Sequence, residues 1–215
     1  MKTRERRSGL AGLLAVAGLW LGLAGSAWAL DLDELMGLLA QTRSGQARFT
    51  EQRLVKGLDA PLTSSGLLSF AAPDRFTRQT LLPRAESMSV EGNTVTLSRS
   101  GRSRSLSLDA VPEIEAIVEA IRGTLTGNAS SLRQHFKPTV AGDAAQWTLE
   151  LVPIEPRLAA LLAQVRIAGK RAELRSVEMR MADGDRSLMA IEPLPAGTAA
   201  AAASASAATA TATAR

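Results

Sequence analysis

The sequence predicts an α+β fold, mainly β, in which one long, curved antiparallel sheet has its dry face covered by a few short helices. Three observations carry this expectation. Apolar and polar residues alternate in many short runs, turn residues separate those runs, and only three stretches shift to helical spacing.

The first helix is predicted over residues 31–41. Leu32, Leu35, Met36 and Leu39 recur at i, i+3, i+4 and i+7, one apolar stripe. Asp31, Asp33 and Glu34 lie in its first turn, where the helix dipole favours anions. The period then changes to two. Leu68 and Phe70, Met88 and Val90, Val95 and Leu97, and Leu106 and Leu108 alternate with more polar neighbours. So do Trp147, Leu149 and Leu151, then Val165 and Ile167, then Val177, Met179 and Met181. Such runs are strands with one wet and one dry face. Turns are expected at Gly92-Asn93, Gly101, Gly142-Asp143, Gly169-Lys170 and Asp183-Gly184, the last as a two-residue type I′ hairpin. Counting runs between turns gives roughly nine to eleven strands.

Two helical stretches interrupt the meander. Pro112 can open one, because the first helical position needs no N–H donor. Ile114, Ile117, Val118, Ile121 and Leu125 form its stripe, with Gly123 as its C-cap and a further turn over residues 128–132. Pro156 opens the other, with Leu158, Leu161, Leu162 and Val165 at helical spacing. These helices are the available cover for the dry face. Beneath them lies either an apolar space or a core filled completely by side chains.

The ends are of different character. Lys2, Arg4, Arg6 and Arg7 precede an apolar stretch over residues 10–23 and an Ala27-Trp28-Ala29 cleavage pattern, so residues 1–29 read as a secretory signal peptide and the protein as periplasmic. Residues 194–215, nearly all Ala, Ser and Thr, lack the large side chains that offset ordering entropy and read as a disordered tail. One domain is left, residues 30–193. The whole chain carries 25 basic and 21 acidic residues; without residues 1–29 these become 21 and 20, a net charge of +1. That balance, with little aromatic content, speaks against nucleic acid. With no Cys, stability must come from burial alone.

Catalytic chemistry has little to stand on. The one histidine, His135, has no accompanying nucleophile motif, no glycine-rich phosphate loop is present, and one His is too few for an ordinary zinc site. We expect no enzyme, no metal and no cofactor. The basic run at residues 98–105 (SRSGRSRS) has two readings: a contact for an anionic lipid head or a partner, or a solvated hairpin tip whose charges discourage edge aggregation.

Phe49-Thr50-Glu51-Gln52, followed by residues 66–76 (GLLSFAAPDRF), Pro83 and the hairpin at residues 90–95 (VEGNTV), resembles the outer-membrane lipoprotein carrier family, LolA. The resemblance implies an unclosed β-barrel with a short α-helical lid. It implies a monomeric carrier (chaperone) of acylated lipoproteins, working from an inner-membrane release complex to an outer-membrane receptor. Burying an acyl chain of ordinary length is worth on the order of 10 kcal/mol, so transit through water needs a dry carrier. The apolar cavity and lid would be lined by Phe49, Leu68, Phe70, Phe76, Met88, Val90, Ile114, Ile117, Val118, Ile121, Trp147, Leu149 and Met179. In the family an Arg just before the strand-motif Pro bonds to the lid. Here that position is Ala72, and Arg75 is the substitute latch candidate. The departure marks a divergent branch whose cargo is lipoprotein or another lipid. A lipid-sensing regulatory protein on the same fold is the alternative.

Overall fold

The computed structural model describes residues 30–195. The expected signal peptide and almost all of the expected tail lie outside the described residues.

Helix α1 (Leu32–Leu39) starts at Asp31, whose carboxylate accepts from the Glu34 N–H at 2.8 Å while Glu34 accepts from the Asp31 N–H at 3.1 Å. This reciprocal pair satisfies two N–H groups that a helix start leaves free. Six strands follow: β1 (Ser44–Leu54), β2 (Leu62–Ala71), β3 (Arg75–Leu82), β4 (Glu86–Glu91), β5 (Thr94–Arg99) and β6 (Arg102–Ser107). A short 3-10 turn, Leu108–Ala110, leads to α2 (Pro112–Thr126) and α3 (Ala129–His135). The chain closes with β7 (Phe136–Asp143), β8 (Gln146–Pro153), the one-turn α4 (Pro156–Ala159), β9 (Leu162–Lys170), β10 (Glu173–Met181) and β11 (Arg186–Pro193).

All eleven strands form one antiparallel sheet in the order β6-β5-β4-β3-β2-β1-β11-β10-β9-β8-β7. The first and last strands of the chain are therefore neighbours at its centre, paired from Ala47↔Pro193 to Leu54↔Arg186. The two edges, β6 and β7, do not pair, so the sheet is an unclosed barrel. The chain between those edges is the α2–α3 segment, which thus serves as its helical cover.

The structure corrects several local expectations. Helix α2 runs through Gly123 and ends at Gly127, whose φ of 70° is the left-handed cap conformation. The Asn128 N–H then reaches back to the Gly123 carbonyl at 2.7 Å, and the Asn128 side chain caps α3. The second correction is to the stripe after Pro156. Helix α4 stops at Ala159, and Leu162 and Val165 belong to β9. A register shift opposite them, between Arg180 and Met181, accompanies burial of both residues although they are three apart. A strand bulge has here the spacing of a helix. Third, the hairpin at Asp183-Gly184 has a three-residue loop, with the Gly184 N–H bonded to the Met181 carbonyl and only Gly184 at positive φ.

Two apolar clusters fill the covered face. The larger joins Leu35, Met36 and Leu39 of α1 with Ala116 and Ala120 of α2, Leu132 of α3 and the inner residues of β8 and β9. Its centre is Trp147, 1 % exposed, whose indole lies against Gly169 and donates to the Arg171 carbonyl at 2.8 Å. Gly169 is thus part of the core rather than of a turn. The smaller cluster gathers Val90, Val95, Leu108 and Val118, with Phe76, Met88 and Leu106 against it.

Candidate functional site: a lidded apolar face with a charged end

In an antiparallel sheet, directly paired residues share a face. The register of β2 to β6 therefore lays the concave side out in rows. Phe70, Phe76, Val90, Val95 and Leu106 form an apolar row. Val118, Ile121 and Leu125 of α2 meet this side, enclosing with Phe70, Phe76 and Val90 a cavity of about 20 Å³. That volume holds about one water molecule. Ligand pockets run to about 300 Å³ and more, so this cavity is far smaller than a ligand site of ordinary size.

The next row is Leu68, Arg78, Met88, Leu97 and Arg104. Leu97 is 43 % exposed, so the apolar surface continues from beneath the helix into the open. The third row is Gly66, Thr80, Glu86, Arg99 and Arg102.

The site residues expected from sequence divide between these regions. Phe70, Phe76, Met88, Val90, Val118 and Ile121 line the small cavity. Leu68 is half-buried beside it, and Phe49 is buried on the same face. Trp147 and Leu149 belong to the larger cluster, with Ile117 and Met179 packed on it. Ile114 is 39 % exposed.

Sequence reasoning passed over the charged group beside Phe49. Glu51 is buried on the concave face and accepts from Ser187 Oγ at 2.5 Å, from Ser64 Oγ at 3.1 Å and from the Arg78 guanidinium. Arg78 also lies 4.8 Å from the centre of the Phe49 ring, a cation–π contact. Burial alone would raise the Glu51 pKa. The Ser187 hydrogen bond and the Arg78 charge, with Ser64 and Arg53, outweigh it and hold the carboxyl below its ordinary 4.5. The signal in the sequence was parity, since Glu51 falls in step with Ala47 and Phe49.

Arg75 forms an exposed ion pair with Glu91 at 2.7 Å and makes no hydrogen bond to α2 among the described residues. The bond between helix and sheet runs the other way. Arg122, on α2, donates to the Gly92 carbonyl at 2.6 Å in the β4–β5 turn. It is held by Glu119, whose second oxygen accepts from Ser131 Oγ of α3 at 2.8 Å. A charge-assisted bond of this kind is worth about 1.5 kcal/mol or more. Arg122→Ala is therefore expected to speed hydrogen exchange of α2 amides about tenfold, with Arg75→Ala leaving it unchanged. Equal effects would remove Arg122 from this role.

His135 Nδ1 lies 2.8 Å from Glu155 Oε1, tying the end of α3 to the start of α4. Among the described residues, no three His, Cys, Asp or Glu side chains gather as a metal site.

An unclosed antiparallel barrel crossed by an amphipathic helix defines the class of protein. The family described as outer membrane lipoprotein carrier protein LolA-like matches residues 24–215, and the chain belongs to that family. No curated protein sequence matches it. Similar solved structures include a LolA superfamily protein from Nitrosomonas europaea, at 10 % identity and TM-score 0.40, covering 76 % of this chain and 92 % of that one. A putative outer membrane lipoprotein-sorting protein domain from Vibrio parahaemolyticus has 10 % identity and TM-score 0.39, covering 78 % and 93 %. The MucA/MucB complex of Pseudomonas aeruginosa has 12 % identity and TM-score 0.39, covering 78 % and 59 %.

Proposed function

We propose that this protein is a periplasmic carrier that shields the acyl chains of a lipoprotein or related lipid during transfer towards the outer membrane. One observation carries the reading: an apolar row on the concave face is covered by one amphipathic helix, and in the next row Leu97 is left 43 % exposed beside half-buried Met88 and Leu68. A face built only as core would be covered along its length. The opposite half of the sheet is covered in that way, with Trp147, Leu149 and Leu151 at most 1 % exposed. Loading then consists of shifting α2 off β3 and β4, so that acyl carbons replace Val118, Ile121 and Leu125 against Phe70, Phe76 and Met88. The helix and the cargo compete for one surface, which keeps net affinity modest and permits release. Membrane partners would supply and accept the cargo, and the protein works without a cofactor.

Titration with a fluorescent fatty acyl probe tests this. The wild type should bind saturably, and Ile121→Glu, which places a carboxylate among the acyl carbons, should bind at least about tenfold more weakly. A wild type that does not bind the probe would overturn the carrier reading.

A further inference from the structure

The concave face does not stay apolar. On β1 to β6 the register gives it Arg53, Arg78, Arg99, Arg102 and Arg104 against only Glu51 and Glu86. Glu51 pairs with Arg78 and Glu86 pairs with Arg99, the latter at 2.9 Å. Arg102 and Arg104 have no carboxylate within 4 Å among the described residues. The same face of β7 to β11 carries none of these charges. It presents Pro138, Val140, Leu149, Leu151, Val165, Ile167, Val177 and Met179.

The SRSGRSRS run is sorted by face. Ser98 bonds to Ser103 at 2.7 Å and Thr96 to Ser105 at 2.9 Å, a hydroxyl ladder on the outer side. Every arginine of the run is on the inner side. Arg99 and Arg102 sit directly opposite each other, an arrangement that costs stability because like charges face across the strands. Edge protection accounts for charge on β6, but not for Arg99 facing it from an interior strand. At the β3–β5 end an open hollow of about 210 Å³ is lined by Thr80, Glu86 and Arg99 of the inner face together with Gln79, Ser87 and Ser98 of the outer one. Val90, at the covered cavity, is four residues from Glu86 along β4, about 13 Å, with Met88 between.

We propose, resting on the carrier reading, that Arg99, Arg102 and Arg104 receive the anionic phosphate or carboxylate head of an acyl ligand. The tail runs along exposed Leu97 and Met88 and on beneath α2. Guanidinium groups suit this role because they offer paired donors to such oxyanions.

The test compares two ligands of equal tail, dodecyl phosphate and 1-dodecanol, as competitors of the acyl probe on the wild-type protein and on the Arg102→Ser/Arg104→Ser double variant. Both substitutions are at exposed positions, and circular dichroism checks the fold. Dodecyl phosphate should bind about tenfold more tightly than dodecanol to the wild type, with the ratio falling towards one in the variant while dodecanol binding is unchanged. Equal binding to the wild type would overturn the head-group assignment and leave the carrier reading standing. A preference surviving in the variant would put the head elsewhere. Displacement of the probe by inorganic phosphate as effective as by dodecyl phosphate would make this a free-phosphate site and overturn the proposal. If the probe binds but neither ligand displaces it, the head-group assignment falls and the carrier reading stands; if the probe itself does not bind, both fall.

Discussion

Glu51→Ala is expected to lower the stability of the protein by about 3 kcal/mol, the lower end of the range for breaking a buried ion pair, because the Arg78 side chain keeps 29 % of its exposure. Removing the carboxylate strands three donors together: Arg78, Ser64 and Ser187. The Arg78 Nε already lacks a hydrogen-bond partner, so the guanidinium has little else to turn to. Replacing both Glu51 and Arg78 with leucine should cost less than Glu51→Ala alone, because no buried charge is then left unpaired. Urea denaturation of the variants reads this directly. Costs that simply add would mean that the two groups do not act as a pair. The pH dependence has a definite sign. A carboxyl held below its ordinary value contributes stability that is fully present above 4.5 and lost as pH falls through the lowered folded value. Glu178 acts in the same window. Burial would raise its pKa, and hydrogen bonds from Arg180 and Arg186 lower it. Acid unfolding should therefore steepen below 4.5, and Glu51→Gln should lessen that slope.

The second large effect is steric. Gly66→Ala would place a Cβ 1.9 Å from the Gln79 carbonyl oxygen and 2.9 Å from the Phe49 ring. Backbone in a paired strand cannot yield cheaply, so a loss of about 3 kcal/mol is expected. Gly169→Ala repeats the case, at 2.1 Å from the Trp147 indole and 2.6 Å from the Glu173 carbonyl. Gly45→Ala, with nothing within 4 Å, is the control and should stay within about 0.5 kcal/mol. In both sensitive places an aromatic ring lies across a strand glycine, which supplies the area that the glycine lacks. A stable Gly66→Ala protein would mean that β2 and β3 pair differently from the register described.

What the sequence made legible followed from period. Alternation at Trp147-Leu149-Leu151 and the stripe Ile117-Val118-Ile121 identified strand and helix, because each side chain there answers to its own element. What it hid depends on residues far apart. Nothing near Ser44–Leu54 announces that it pairs with Arg186–Pro193. The partners that make Glu51 tolerable on a dry face come from β2, β3 and β11, the last 136 residues away. The basic run left a lipid-head or partner contact and a solvated tip both open, since only a two-strand register separates its serines from its arginines. Leu162 and Val165 imitated a helix because a bulge adds one residue to a strand's period. The apolar lining at Phe70, Phe76, Met88, Val90, Val118 and Ile121 and the basic run at residues 98–105 were legible, and the buried Glu51–Arg78 pair was not.

On the carrier reading proposed above, an acyl chain displaces α2 from the concave face. Mass spectrometry of lipid extracted from the protein, purified under native conditions from its own cells beside Ile121→Glu, tests it most directly. Acylated species are expected with the wild type, anionic ones foremost, with their depletion in the variant. The same acylated species in equal amount with both proteins would contradict it, because the ligand would then be held somewhere other than beneath the helix.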